Sequence, residues 1–351
     1  MTGWILWWGR SDPGYSRNRI VRGLFRDLGW GIRDFRPPIA SIGDLWASLQ
    51  VHRAPSLIWV PCFRQRDLGA ALRYGRRKQI PVIADPLISA WDKQVFEQRR
   101  FSETSSAAQA LLRWESGLLS ACDLVIADTP AHARFFAERL GVAEDRIQVL
   151  WVGAEEALFR PAPARPAGQT VEALFFGSFI GLHGTGTVIE AARLCQDAAI
   201  VWTLLGDGPE RPAARASASG LTQVRFEHAI DYARLPQRIL AADILLGVFG
   251  ASAKAGRVIP NKVFQALACG RPVVTRSGEG YPAESDSATS GLTFVPPDDP
   301  AALAAAVTRL AAAPDLRARS GRLGHDYFRS NFSATVLQSQ LVAALRRVGL
   351  T

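Results

Sequence analysis

The sequence predicts an α/β protein of two doubly wound domains, each a parallel sheet covered by helices. Three observations predict it. Short apolar runs alternate with helical patterns in two successive series. A Pro/Gly-rich segment separates the series. The chain's 351 residues, 48% apolar and 21% charged, suffice to bury two cores.

In the first series the apolar runs are Trp4–Trp8, Ile32–Phe35, Leu57–Val60, Pro81–Ala84, Leu124–Ala127 and Ile147–Val152. Helical patterns fall between them, at Ser16–Leu28, Ser105–Ser120 and Pro130–Leu140. Parallel strands need such crossovers, and the crossovers cover both sheet faces. The segment Phe159 to Thr170, FRPAPARPAGQT, reads as the interdomain linker, so the first domain is placed at 1–160.

The second series runs Val171–Phe176, Ile200–Leu205, Val224–Phe226, Ile244–Phe249, Pro272–Val274 and Leu292–Val295, giving a second domain over 161–335. After Asp298 the chain reads as helical almost to its end. Its last amphipathic stretch, Leu337 to Val348, sets off a closing helix at 336–351. In doubly wound folds ligands bind beyond the carboxyl ends of the strands, so two such domains imply a cleft between two sets of strand ends.

Composition excludes several classes. The net charge of +9 is spread, +5 up to Arg160 and +4 beyond it, with no basic tract interleaved with aromatics. Nucleic-acid binding is therefore not expected, while phosphorylated substrates or loose contact with an anionic membrane face fit. No apolar run approaches the ~20 residues of a membrane helix. The run Trp4–Trp8 lacks the basic flank and cleavage site of a signal peptide. Cys62, Cys122, Cys195 and Cys269 show neither pairing nor metal spacing, which fits a reduced, cytoplasmic setting. The five histidines are scattered, and no nucleophile–base arrangement or metal-ligand cluster is apparent.

Chemistry concentrates in Lys254 to Thr275, KAGRVIPNKVFQALACGRPVVT. Pro260 and Asn261 open a short helix there, Gly270 sits where a left-handed cap belongs, and a buried strand follows. Val263, Phe264 and Leu267 form its apolar face, while Lys262 and Gln265 share another. Lys254, Arg257 and Lys262 crowd its positive end, a place to hold a diphosphate. Ordinary solvated cations are the plain alternative.

This stretch resembles the donor-binding segment of retaining glycosyltransferases of the GT-B fold, family 4. The shared pattern stands here as Pro260, Lys262, Gln265, Ala268, Gly270, Pro272, Val273 and Val274. The resemblance implies two Rossmann-like domains facing a central cleft, with the closing helix bracing the first. It implies transfer of a sugar from a nucleotide diphosphate sugar to an acceptor hydroxyl by front-face attack. It implies a bacterial enzyme in glycan, glycolipid or glycosylated-metabolite synthesis, cytoplasmic or peripheral on the inner membrane face. No cofactor and no divalent metal are expected beyond the donor, and the acceptor is a sugar, a lipid-linked molecule or a small molecule.

Other donor-side candidates lie on turns after strands. The turn after the first strand of the second domain holds Gly177, Ser178, His183 and Gly184, and a helix opens near Gly184 to suit a phosphate. A third glycine of a dinucleotide fingerprint is missing, with Ile189 in its place. In the resembled family His183 stands about where a lysine serves the diphosphate, and Ser178 where arginine is frequent. Gly206 and Gly208 flank Asp207 in a turn that the resemblance aims at the donor. The base is expected to meet backbone groups near His228 and Ile230. Gln265 replaces the family's ribose-binding glutamate, Arg257 stands where another glutamate is common, and Glu284 is placed to bind donor hydroxyls.

On the acceptor side Tyr15, Arg17 and Asn18 are expected to line the cleft, Arg17 gripping an anionic group. Asp85, at a strand end, would orient or deprotonate the attacking hydroxyl, or else serve as a turn acid before Pro86. Asp128-Thr129-Pro130 reads as a helix cap. Catalysis is thus assigned to Asp85, His183 and Lys262. A non-catalytic sugar-nucleotide binder is the alternative that the four departures raise. A dinucleotide oxidoreductase lacks its glycine fingerprint and its ribose acid.

Overall fold

The computed structural model describes residues 3–98, 100–163, 168, 170–195, 199–283 and 285–350. The chain divides into two compact units: Met1–Val152 with Ala334–Thr351, and Gly153–Ser333.

In the first unit six parallel strands pair in the order β2-β1-β3-β4-β5-β6. They are β1 (Trp4–Trp8), β2 (Gly31–Phe35), β3 (Leu57–Val60), β4 (Val82–Ala84), β5 (Leu124–Ala127) and β6 (Ile147–Val149). Register is fixed by pairs such as Ile5 with Leu57 and Ile58 with Val82. Central strands β3, β4 and β5 are buried throughout, whereas the edge strand β2 buries only Phe35. Trp7, Trp8 and Trp59 are buried in this unit's core, each contributing about 1.5–3 kcal/mol by the area it removes from water.

Strand β6 stops at Val149, short of the Val152 that its apolar run suggested. The reason is a buried arginine: Arg17 Nη1 donates to the carbonyls of Leu150 (2.9 Å) and Trp151 (2.7 Å). The closing helix, Ala334–Arg347, belongs to this first unit. Gln340 Oε1 accepts from the Trp151 amide at 3.1 Å, Arg347 donates to the Ile147 carbonyl, and Leu337 and Leu341 are buried.

The second unit repeats the design with β7 (Val171–Phe176), β8 (Ile200–Leu205), β9 (Val224–Glu227), β10 (Ile244–Leu246), β11 (Val273–Arg276) and β12 (Leu292–Val295). Their order is β12-β11-β10-β7-β8-β9. The chain starts in the middle, winds out through β8 and β9, then crosses back to β10. The switch point therefore lies between β7 and β10. Strand β10 ends at Leu246, three residues before the expected Phe249, although Gly247 N still donates to the Val274 carbonyl at 2.8 Å and the Val248 carbonyl accepts from Arg276 N at 3.0 Å. Residues before β7 already belong to this unit, which is why its boundary precedes the expected 160. Phe159 packs edge-on to Tyr232 at 5.6 Å, and the Pro163 carbonyl accepts from Arg271.

All four cysteines are buried free thiols. Burial pushes Cys122 and Cys269 up to about 12.

Candidate functional site

The helix Asn261–Ala268 follows Pro260, whose extended backbone starts it, and Gly270 closes it at φ +65°. Val263, Phe264 and Leu267 are buried as expected. Lys262 and Gln265, expected on a face open to a cleft, are also buried, at 5% and 4% exposure. The Lys262 ammonium lies 3.7 Å from the centroid of Phe175, the penultimate residue of β7. Among the described residues it has no hydrogen-bond partner. Burial pushes its pKa well below the ordinary lysine value. Gln265 Nε2 donates to the Tyr232 hydroxyl at 3.4 Å.

Strand β7 runs directly into Gly177, at φ +136°. A β-carbon there would lie 3.2 Å from Lys262 Nζ and 3.4 Å from His183 Cε1. Glycine thus leaves the backbone open where the ammonium and the imidazole converge. His183 Nδ1 is bonded to the Ser178 carbonyl, which can only accept, so Nδ1 carries the proton and Nε2 its lone pair. Burial, then the charge of Lys262, depress the His183 pKa to about 3. His183 is therefore neutral and cannot replace a lysine as a source of charge.

The loops after β7 and β10 are fastened together over the switch point. Phe249 N donates to the His183 carbonyl at 3.1 Å, and Gly250 N to that of Leu182 at 3.3 Å. Gly184 caps the helix Thr185–Leu194. Ser252 caps the short helix Ala253–Arg257, which brings in Lys254, buried, and Arg257, half-buried. Sequence reasoning missed Arg276, whose buried guanidinium donates to the carbonyls of Gly250 (2.6 Å) and Ser252 (3.1 Å) and holds this loop in place. A basic residue ending an otherwise apolar strand was the available signal.

Gly206 and Gly208 serve a neighbouring loop. A β-carbon on Gly206 would lie 2.0 Å from the Gly177 carbonyl oxygen, and one on Gly208 2.6 Å from Phe179 N. Gly177 N and Phe179 N in turn donate to the carbonyls of Leu205 (2.9 Å) and Asp207 (3.0 Å). Asp207, which sequence reasoning passed over, accepts from Ala229 N (3.0 Å) and His228 Nδ1 (2.8 Å), and these bonds hold its pKa low. It thereby fixes the 228–230 segment, with His228 exposed and Ile230 half-buried. Glu284 lies outside the described residues.

The first unit draws most of the acceptor-side candidates into its core. Arg17 is fully buried, its Nε 2.9 Å and Nη2 3.2 Å from the Asp85 carboxylate. Arginine and aspartate thus spend themselves on each other, because a desolvated guanidinium needs a carboxylate. Burial raises the Asp85 pKa while Arg17 opposes the rise. Asp85 is a core ion-pair partner, neither a free base nor a simple turn acid. Asn18 is buried as well, donating to the Asp12 carbonyl at 2.7 Å and accepting from Cys62 at 3.2 Å. Tyr15 is half-buried, with its ring 5.1 Å from Phe63. Thr129 caps its helix by accepting from His132 N at 3.0 Å.

Phe63 marks a place that sequence reasoning missed. It sits at φ +63°, where a non-glycine residue costs about 1–2 kcal/mol. Its half-exposed ring helps line a cavity of about 380 Å³ with Arg66, Ile88, Lys93, Arg100 and Trp114. The loops after β3 and β4 build it, and it offers aromatic walls beside three cations.

Residues 170–313 match the family model described as Glycosyl transferases group 1. Two D-inositol 3-phosphate glycosyltransferases are similar: that of Thermomonospora curvata is 28% identical over 232 residues, and that of Acidothermus cellulolyticus 30% over 225. Each match covers 58% of this chain, and 52% and 49% of those proteins, so the chain spans about half the length of the curated relatives it matches. Among solved structures, Anabaena HepE in complex with UDP aligns at TM-score 0.75 and 16% identity, covering 99% of this chain and 100% of that one. Sucrose-phosphate synthase of Thermosynechococcus elongatus aligns at 0.76 and 18%, covering 98% and 99%. WaaG, a glycosyltransferase involved in lipopolysaccharide biosynthesis, aligns at 0.66 and 14%, covering 99% of both chains. These likenesses show the GT-B fold.

Proposed function

We propose, from the match of residues 170–313 to the group 1 glycosyltransferase model, that the chain transfers a sugar from a nucleoside diphosphate sugar to an acceptor hydroxyl with retention. One observation carries the reading. Lys262 holds a buried ammonium that has no hydrogen-bond partner among the described residues, beside the side-chain-free Gly177 and at the switch point of a doubly wound sheet. A diphosphate would supply the acceptor oxygens this ammonium lacks, with Lys254 and Arg257 close behind on the short helix after β10.

In the proposed reaction the acceptor oxygen bonds to the anomeric carbon on the face from which the diphosphate departs. The carbon–oxygen bond to the diphosphate breaks, and the hydroxyl proton passes to a departing phosphate oxygen. Lys262 stabilises the charge that develops there. Neutral His183 offers Nε2 as an acceptor for a donor hydroxyl. Gln265 holds the ribose as an amide, without charge.

Uridine diphosphate is our first choice of leaving group, since HepE was solved with UDP and with UDP-glucose. The relatives' inositol phosphate specificity suggests a phosphorylated acceptor, and Arg66, Lys93 and Arg100 around the first unit's cavity suit an anionic group. We assign the reaction to the cytoplasm on the strength of four free thiols. No cofactor is invoked beyond the donor.

The test is a thermal-shift panel of UDP, GDP, ADP, TDP, CMP and NAD, followed by turnover of the matching sugar nucleotides with and without EDTA. A ligand at ~100 times its Kd adds about 2.7 kcal/mol of stability. A shift with one nucleoside diphosphate, followed by sugar transfer with the anomeric configuration kept, supports the proposal. A shift with NAD alone, or product of inverted configuration, removes it.

A second reading, nucleotide binding without turnover, is favoured by Gln265 standing in place of glutamate. Restoring the carboxylate with Gln265→Glu separates the two. Transfer that appears only in the variant would identify the natural chain as a binder.

A further inference from the structure

The helix Gly43–Gln50, between β2 and β3, is built inside out. It turns Gly43, Asp44 and Ala47 into the first unit, none of them a large apolar side chain. Outward it presents Leu45, Trp46 and Leu49, at 57%, 42% and 69% exposure, and the turn before it adds Ile39 and Ile42 at 55% and 46%. Leu45, Trp46 and Leu49 share the outer face of the helix, and Ile39 and Ile42 extend it along the preceding turn. Five large apolar groups in eleven consecutive residues are more than scattered surface leucines and mark a contact face.

The surroundings say what covers it. From Phe35 to Arg66 the sequence has a single acidic residue, Asp44. That carboxylate is buried and ion-paired with Arg73 (2.7 Å) and Arg77 (2.8 Å), each about half exposed. The charge left over around this face is thus positive, with Arg36 and Arg53 exposed at its two ends. A second copy of this chain would bring those arginines against their own counterparts.

We propose that this face docks on an anionic lipid bilayer. The helix lies in the interface plane, Leu45, Leu49, Ile39 and Ile42 enter the acyl boundary, and Trp46 sits at headgroup level. Arg36, Arg53, Arg73 and Arg77 hold lipid phosphates around it. Among the described residues no helix is long and apolar enough to cross a membrane, and in-plane docking needs none. The proposal stands apart from the transfer reaction.

Co-sedimentation of the full chain with phosphatidylcholine vesicles, with and without phosphatidylglycerol, tests it. The expected result is binding roughly ten-fold tighter to the anionic vesicles, weakening as salt is raised. The double variant Trp46→Gln/Leu49→Gln should lose roughly ten-fold of that affinity with its thermal melt intact, because both side chains are solvent-facing. Arg36→Gln/Arg53→Gln should lose the preference for anionic vesicles. Equal binding by the Trp46/Leu49 variant, indifference to phosphatidylglycerol, or a dimer in solution that the variant dissociates would each overturn the proposal.

Discussion

The Lys262 ammonium lies 3.7 Å from the centre of the Phe175 ring and, among the described residues, donates no hydrogen bond. The ring's negative face returns part of the lost hydration, on the order of 0.5–2 kcal/mol. An unpaired buried charge costs more than that. The free site is therefore strained electrostatically, and an incoming anion relieves it.

Replacing Lys262 by methionine keeps the stem and removes the charge. The unliganded protein should gain roughly 1–3 kcal/mol in urea unfolding, while nucleoside diphosphate affinity falls by about 1.5–3 kcal/mol in calorimetry. A variant that is less stable than the natural chain, or that binds nucleotide equally well, would remove Lys262 from the site.

Protonation should follow the same logic. Burial pushes the Lys262 pKa down in the free protein, and an arriving diphosphate should raise it again. Binding then takes up protons between the free and bound pKa values, and affinity rises as pH falls through that interval. Calorimetry in buffers of different ionisation heat reads the uptake directly; release of protons on binding would contradict it. The His183 shift has its own signature. Its folded pKa of about 3 lies below the unfolded 6.5, so the unfolded state binds more protons between them. Stability is complete above pH ~6.5 and is lost as pH falls toward ~3. His183→Gln should flatten that slope.

Arg17 and Asp85 call for a different experiment from the one their positions suggested. Asp85→Asn should cost about 3–5 kcal/mol of stability, because it leaves a guanidinium buried without its counter-charge. Nucleotide affinity should be unchanged, since the proposed donor site lies in the other unit. The double variant Arg17→Met/Asp85→Leu should recover part of the loss, the Leu150 and Trp151 carbonyls then lacking their donor. An additive double-mutant cycle would show that the pair is not coupled.

The strands were legible because buried parallel strands leave short apolar runs with little else to compete. Where a run overstated its strand at β6, the cause was a distant side chain, Arg17 on the Leu150 and Trp151 carbonyls. The helix Gly43–Gln50 drew no notice because its large apolar residues face outward, opposite to what periodicity assumes. Lys262 and Gln265 were read from spacing as sharing a helix face open to a cleft, and both are buried. Arg17 and Asp85 were not, since local position cannot reveal that two charges 68 residues apart meet in the core. Asp207 looked like turn punctuation until its carboxylate was seen to hold the 228–230 loop.

The glycine turns can be tested by pairing two substitutions. Gly206→Ala would place a methyl group 2.0 Å from the Gly177 carbonyl oxygen, at a φ of +138° that side chains rarely adopt. Relief requires Gly177 to move, and Gly177 is the residue that borders Lys262 and His183. The expected loss is roughly 2–4 kcal/mol of stability, with weaker nucleotide binding in whatever remains folded. Gly186 lies in the helix that opens just beyond the same loop, and nothing approaches within 4 Å of its β-position. There, in the first turn of the helix, alanine should be neutral or stabilise by up to ~1 kcal/mol. Equal tolerance of both substitutions would mean that the two turns do not press on each other, and that Gly177 is not held in place by Gly206.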